Sequence, residues 1–161
     1  MSVDLEKFNK FKAEAEELYK TFGETNCPYL GTKVGFNAKG LEHIKFKARS
    51  VARSTQDQYV RFRLLKLAPD IVRKSHTLQE YFKTKKFESL KIGSEWEQKM
   101  VNITYYGFVA IVADMRIKVV LKQIDDGKIF FWSIIPFWKN EQKNTPNINK
   151  KILHVGDLEI D

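Results

Sequence analysis

Apolar residues recur at three- and four-residue steps from Leu5 through Phe8, Phe11, Ala15, Leu18 and Tyr19 to Phe22, which predicts an amphipathic helix over about Asp4–Phe22. Gly23 is a suitable stop, and Glu14, Glu16, Glu17 and the lysines fall mostly on the opposite face. Residues 24–32 read as a loop. The stretch VGFNAKGLEHIKFK, Val34–Lys47, reads as two extended pieces joined by the turn chemistry of Asn37-Ala38-Lys39-Gly40. Its second piece also fits the start of a short helix. Tyr59, Phe62 and Leu65 mark the buried side of a helix over Thr55–Lys66, and Pro69 breaks or restarts it. Thr77 and Glu80 fit a capping box that opens a short helix to about Phe82. Residues 83–98 are polar, carry Gly93-Ser94, and read as an exposed connection.

From residue 101 the period changes. VNITYYGFVAIV, RIKVVLKQI and KIFFWSIIPFW are rich in β-branched and aromatic residues and predict three consecutive antiparallel strands. Asp126-Gly127 reads as a two-residue hairpin turn, which sets Lys122 opposite Phe131, Val120 opposite Ser133, Lys118 opposite Ile135 and Arg116 opposite Phe137. Alternation then places Ile117, Val119, Leu121, Phe130, Trp132 and Ile134 on a core face. The other face carries Arg116, Lys118 and Lys122 beside Phe131 and Ser133. Residues 140–150 read as a polar linker, and Ile152–Val155 as a short edge strand. This divides the chain into an amphipathic helix (1–23), a main domain (24–139) and a tail (140–161).

Charge sharpens that pattern. The 161 residues include 28 Lys plus Arg and 20 Asp plus Glu, a formal net charge of +8. Residues 1–25 carry a net −2, residues 26–139 a net +11 and residues 140–161 a net −1. A basic body suggests a polyanionic partner, nucleic acid first. Solubility alone also explains a basic surface. With 43% hydrophobic residues the chain can build a core. No apolar run approaches the ~18 residues of a membrane span. The charged first twenty residues hold no secretory h-region, and the single cysteine, Cys27, forms no internal disulfide, so the expected compartment is the cytoplasm.

The candidate chemistry is built from cations. The basic strand face with its interleaved Phe131 suits RNA, cations meeting phosphates and rings meeting bases. Its plain alternative is a solvated strand. His43 shares a side with Lys45 and Lys47 if the segment is extended, and with Lys47 if it is helical. Imidazole moves protons near neutrality and ammonium stabilises phosphate charge. A surface histidine among lysines is the plain alternative. Arg61 and Arg63 flank Phe62; His76 and His154 are weaker candidates. There is no Gly-rich phosphate loop, no HExxH and little clustering of carboxylates in the body, so no metal and no cofactor are expected.

GLEHIKFK, a basic helix running into LLKLAPDIV, and the terminal IFFWSIIPFW together resemble the phage-associated barnase–EndoU–colicin–RelE-like nucleases, the BECR-fold endoribonucleases, over roughly residues 30–138. The resemblance implies an α+β fold with N-terminal helices packed on an antiparallel β-sheet of about four strands, the other sheet face forming an RNA cleft. His43 matches the family's early histidine, Lys45 and Lys47 its phosphate-binding positions, Arg61 a helix arginine and Ser133 the late-strand hydroxyl. Where the family has a Lys-His pair, this chain has Glu42-His43. The expected function is metal-independent RNA cleavage, with His43, Lys47, Arg61 and Ser133 catalytic and Lys45, Arg116, Lys118, Lys122 and Phe131 binding RNA. An antitoxin or immunity protein is an expected partner, and no membrane is. A non-catalytic RNA- or DNA-binding protein and a protein-interaction module are the competing classes.

Overall fold

The computed structural model describes residues 4–48, 51–136 and 158–159. The chain is α+β. Helices α1 (Leu5–Lys20), α2 (Ala38–Lys45), α3 (Thr55–Leu64) and α4 (Ala68–Arg73) precede a four-stranded antiparallel sheet. Its strands are β5 (Glu80–Ile92), β6 (Glu95–Val112), β7 (Met115–Ile124) and β8 (Phe130–Pro136), paired in that order. The short pairs β1 (Thr25–Cys27) with β2 (Thr32–Val34), and β3 (Phe46–Ala48) with β4 (Val51–Ala52), link the helices. The Ile152–Val155 strand, the linker, His154 and the Arg116–Phe137 pairing fall outside the described residues. Among the described residues no helix is long and apolar enough to cross a membrane.

The first helix forms where its spacing says. The Asp4 carboxylate accepts from the Glu6 amide at its start. Phe8, Ala15 and Tyr19 are buried, with Phe8 against Phe62 and Phe11 against Tyr59. Pro69 does restart a helix, standing in the first turn of α4 after a single 3-10 turn at Leu65–Leu67.

Residues 24–32 are not a plain loop, because Thr25–Cys27 pairs with Thr32–Val34 around a left-handed Gly31. The extended reading of the second half of Val34–Lys47 is corrected to a helix. Asn37 caps it, its side-chain oxygen accepting from the Gly40 amide at 3.1 Å. Gly40, His43 and Ile44 then stand on the buried side at steps of three and four. Gly40 has no room for more: a Cβ there would sit 2.3 Å from the Phe131 carbonyl oxygen.

The capping box at Thr77 is also overturned. The Gln79 amide donates to Gly107, and the Gln79 side chain accepts from the Val109 amide, so the chain enters the sheet here. Residues 83–98 are not a connection but the body of a long hairpin, turned at Gly93 with φ +67°.

The hairpin register holds in part. Lys118 pairs with Ile135 and Val120 with Ser133 as expected, but a bulge between Val120 and Leu121 slides the rest. Lys122 therefore faces Phe130, not Phe131. The tight turn lies one residue earlier than Asp126-Gly127, the Gly127 amide donating to Ile124 with Asp125 at φ +49°. Asp125 instead exchanges hydrogen bonds with Asn102. A one-residue slip reverses the faces beyond it. Phe131 goes into the helix-side core with Ile117, Val119, Leu121 and Ile134, while Trp132 joins Val101, Ile103, Tyr105, Val120 and Leu158 on the opposite face.

Candidate functional site

Three segments meet at the β8 edge of the sheet. Helix α2 brings His43, the chain just after β4 brings Arg53, and α3 brings Asp57 and Arg61. Ser54 opens α3 by accepting from the Asp57 amide, which sets Asp57 and Arg61 one turn apart on one side. Strand β8 offers Trp132 and Ser133.

These side chains form one connected network. The His43 ring stacks on Trp132 at 4.0 Å between centroids and 18° between planes. Arg53 donates from Nη2 to His43 Nε2 at 3.0 Å and from Nε to the His43 carbonyl at 2.9 Å. A guanidinium only donates, so His43 Nε2 is the acceptor, and its single lone pair is engaged by Arg53. Arg53 and Arg61 share one carboxylate: Asp57 lies 3.5 Å from Arg53 Nη1 and 2.7 Å from Arg61 Nε. Arg61 Nη1 in turn donates to Ser133 Oγ at 2.6 Å. His43, Arg53, Arg61 and Ser133 are all buried.

The β7 lysines stand on the same side of the sheet as Trp132. They are not solvent-facing, as the strand alternation suggested: Lys118 is 1% exposed and Lys122 2%. Lys118 meets Glu80 at 3.3 Å and Lys122 meets Glu88 at 3.2 Å. Lys122 Nζ also stands 3.9 Å from the centre of the Trp132 ring. Burial pushes the Lys122 ammonium down to about 8, against the opposing pull of Glu88. Leu158 is buried on this face, and the Glu159 carbonyl accepts from Trp132 Nε1.

The expected residues thus divide. His43, Arg61, Ser133, Lys118 and Lys122 do gather on this side of the sheet. Lys47 does not, because α2 ends at Lys45 and Lys47 is exposed in β3 while His43 is buried. Lys45 is tied to Glu16 and Glu42, both at 3.3 Å. Arg116 lies at the start of β7, four residues before Val120 and so about 14 Å along the strand from the Ser133 level. Phe131 is withdrawn as a base-stacking residue: it is buried against Tyr19 and Phe36.

Arg53, Asp57 and Trp132 are the members that sequence reasoning missed. Asp57 was legible as an i, i+4 partner of Arg61. Trp132 was hidden by the bulge, and Arg53 has no local signature, since it joins the site only when β3 and β4 fold back over α2. No family model, curated protein or solved structure matches the chain.

Proposed function

We propose that the protein is a metal-independent endoribonuclease. The observation that carries this reading is the convergence of His43, Arg53, Arg61 and Ser133, from separate segments, into one hydrogen-bonded network beside Trp132 and Lys122. RNA brings its own nucleophile, the 2′-hydroxyl, so the protein has only to move protons and stabilise charge. As the Arg53 Nη2 swings from His43 to the phosphate, the freed His43 Nε2 takes the 2′-hydroxyl proton while the 2′-oxygen bonds to phosphorus. Arg53 and Arg61 donate to the non-bridging oxygens, and Ser133 adds a hydroxyl. Lys122, with its proton loosened by burial, gives it to the departing 5′-oxygen. The P–O5′ bond breaks, leaving a 2′,3′-cyclic phosphate and a 5′-hydroxyl. Helices packed on one face of a four-stranded antiparallel sheet, with Trp132, Ser133 and the β7 lysines on the other, also support the resemblance to BECR nucleases.

A second reading is a nucleic-acid-binding protein without chemistry. It is favoured by the burial of the cluster, whose members hydrogen-bond one another as a structural network does. Incubating the protein with single-stranded RNA in EDTA decides between them. The nuclease reading expects fragments ending in 2′,3′-cyclic phosphate; binding without cleavage supports the second.

A further inference from the structure

The β5–β6 hairpin runs well past the rest of the sheet. Strand β7 pairs with β6 only from Ile103 onward, so residues 95–102 pair with β5 alone. Beyond Thr84, the partner of Ile103, eight residues of β5 reach Ile92, a two-stranded arm about 27 Å long. Such a ribbon is poorly stable by itself, and only its base, through Val101 and Leu90, joins the core on the Trp132 face.

The two faces of the whole β5–β6 hairpin are chemically unlike. Alternation and register put Glu80, Glu88, Glu95 and Glu97 on one face, together with Lys86 and Lys99. The other face carries Lys83, Lys85 and Lys91, opposite Thr104, Asn102 and Trp96, with no carboxylate. Between the lysines stands Phe87, opposite Met100. The large side chains there are open to solvent, Trp96 at 66% and Phe87 at 62% exposure. All the acids of the arm are on one side, and its rings and unopposed cations on the other.

We propose that this face is a docking platform for single-stranded nucleic acid, RNA in the first place, separate from the His43 cluster. The chemistry is that of a stacking platform: lysines track phosphates while Phe87 and Trp96 offer ring faces to unpaired bases. The linear order of two cations, a ring, and a cation beside a ring suits an extended polyanion. Glu95 and Glu97 follow the hairpin tip on β6, which sets the arm against insertion into an anionic bilayer. Naming RNA rests on the function proposed above; the platform itself rests on the ribbon.

The test uses the full chain and a fluorescein-labelled 2′-O-methyl oligouridine, which binds but lacks the free hydroxyl needed for cleavage. The triple variant Lys83→Ala/Lys85→Ala/Lys91→Ala should weaken binding by about tenfold or more and lower the salt slope by about 2. Phe87→Ala/Trp96→Ala should weaken it by about tenfold or more with the salt slope intact. His43→Gln should bind as wild type does. Circular dichroism should show both ribbon variants folded, since their replaced side chains are on the surface. Wild-type affinity in both ribbon variants overturns the proposal. So does preferential capture of the wild-type chain by phosphatidylserine vesicles. A chain that binds through the ribbon but cuts no RNA removes the nuclease reading and leaves the platform standing.

Discussion

The two ends of the sheet use the same residue types to opposite effect. Near the β8 edge, Lys118 and Lys122 are buried, paired with Glu80 and Glu88, and Lys122 lies against Trp132. Along the β5–β6 hairpin, Lys83, Lys85 and Lys91 are exposed beside Phe87 and Trp96. Both stretches place lysines at alternate positions on one face of a strand. What separates them is cover. Burial strengthens electrostatics, ties each cation to a fixed partner and moves proton affinities, which is what proton transfer requires. Exposure leaves the cations mobile and screened, which suits binding a flexible polyanion. On the proposed reading, the first region serves chemistry and the second capture.

The difference can be broken most severely at His43. His43→Gln should lower RNA cleavage about 10²–10⁴-fold with affinity unchanged, read by single-turnover kinetics. The matched pair of ring deletions comes next. Phe131→Ala, in the core, should cost about 3–5 kcal/mol in urea unfolding, whereas Phe87→Ala on the arm should stay within about 0.5 kcal/mol. Gly40→Ala should cost about 1–3 kcal/mol, because the backbone oxygen of Phe131 blocks the new methyl and α2, which carries His43, must shift. The pH profile offers a finer division. Lys122 serves as acid only while protonated, so cleavage should fall above about pH 8, and Lys122→Met should remove that limb while RNA affinity is kept. The same shift has a stability sign: between about 8 and 10.5 the unfolded chain holds the proton that the folded one has lost, so this group favours folding as pH rises through that range.

Much of this organisation was legible in the residues, and the failures have physical causes. The first helix follows from periodicity because it buries one face, and the three C-terminal strands from their runs of β-branched and aromatic residues. The same alternation along β7 put Lys118 and Lys122 on one side with Ser133. It failed at Phe131 and Trp132, where one bulge residue reverses the faces and no sequence signal announces it. It failed again at β5, whose half-covered face is filled by Thr84, Lys86, Glu88 and Leu90, so residues 83–98 carry no apolar stripe to betray a strand. Asn37 is ambiguous in principle, since the side chain that favours a turn also caps a helix. His43 and Arg61 were found from their chemistry. Arg53 was not, because its place in the site depends on β3 and β4 folding back rather than on its neighbours in the chain.

Cleavage at saturating RNA in EDTA, compared across wild type, His43→Gln and the triple ribbon variant, tests the division of labour most directly. The ribbon variant should reach the wild-type maximal rate at a higher RNA concentration, and His43→Gln should bind at the wild-type concentration with a maximal rate lower by about 10²-fold or more. Equal maximal rates for wild type and His43→Gln would contradict the account, because the buried cluster would then have no part in the chemistry.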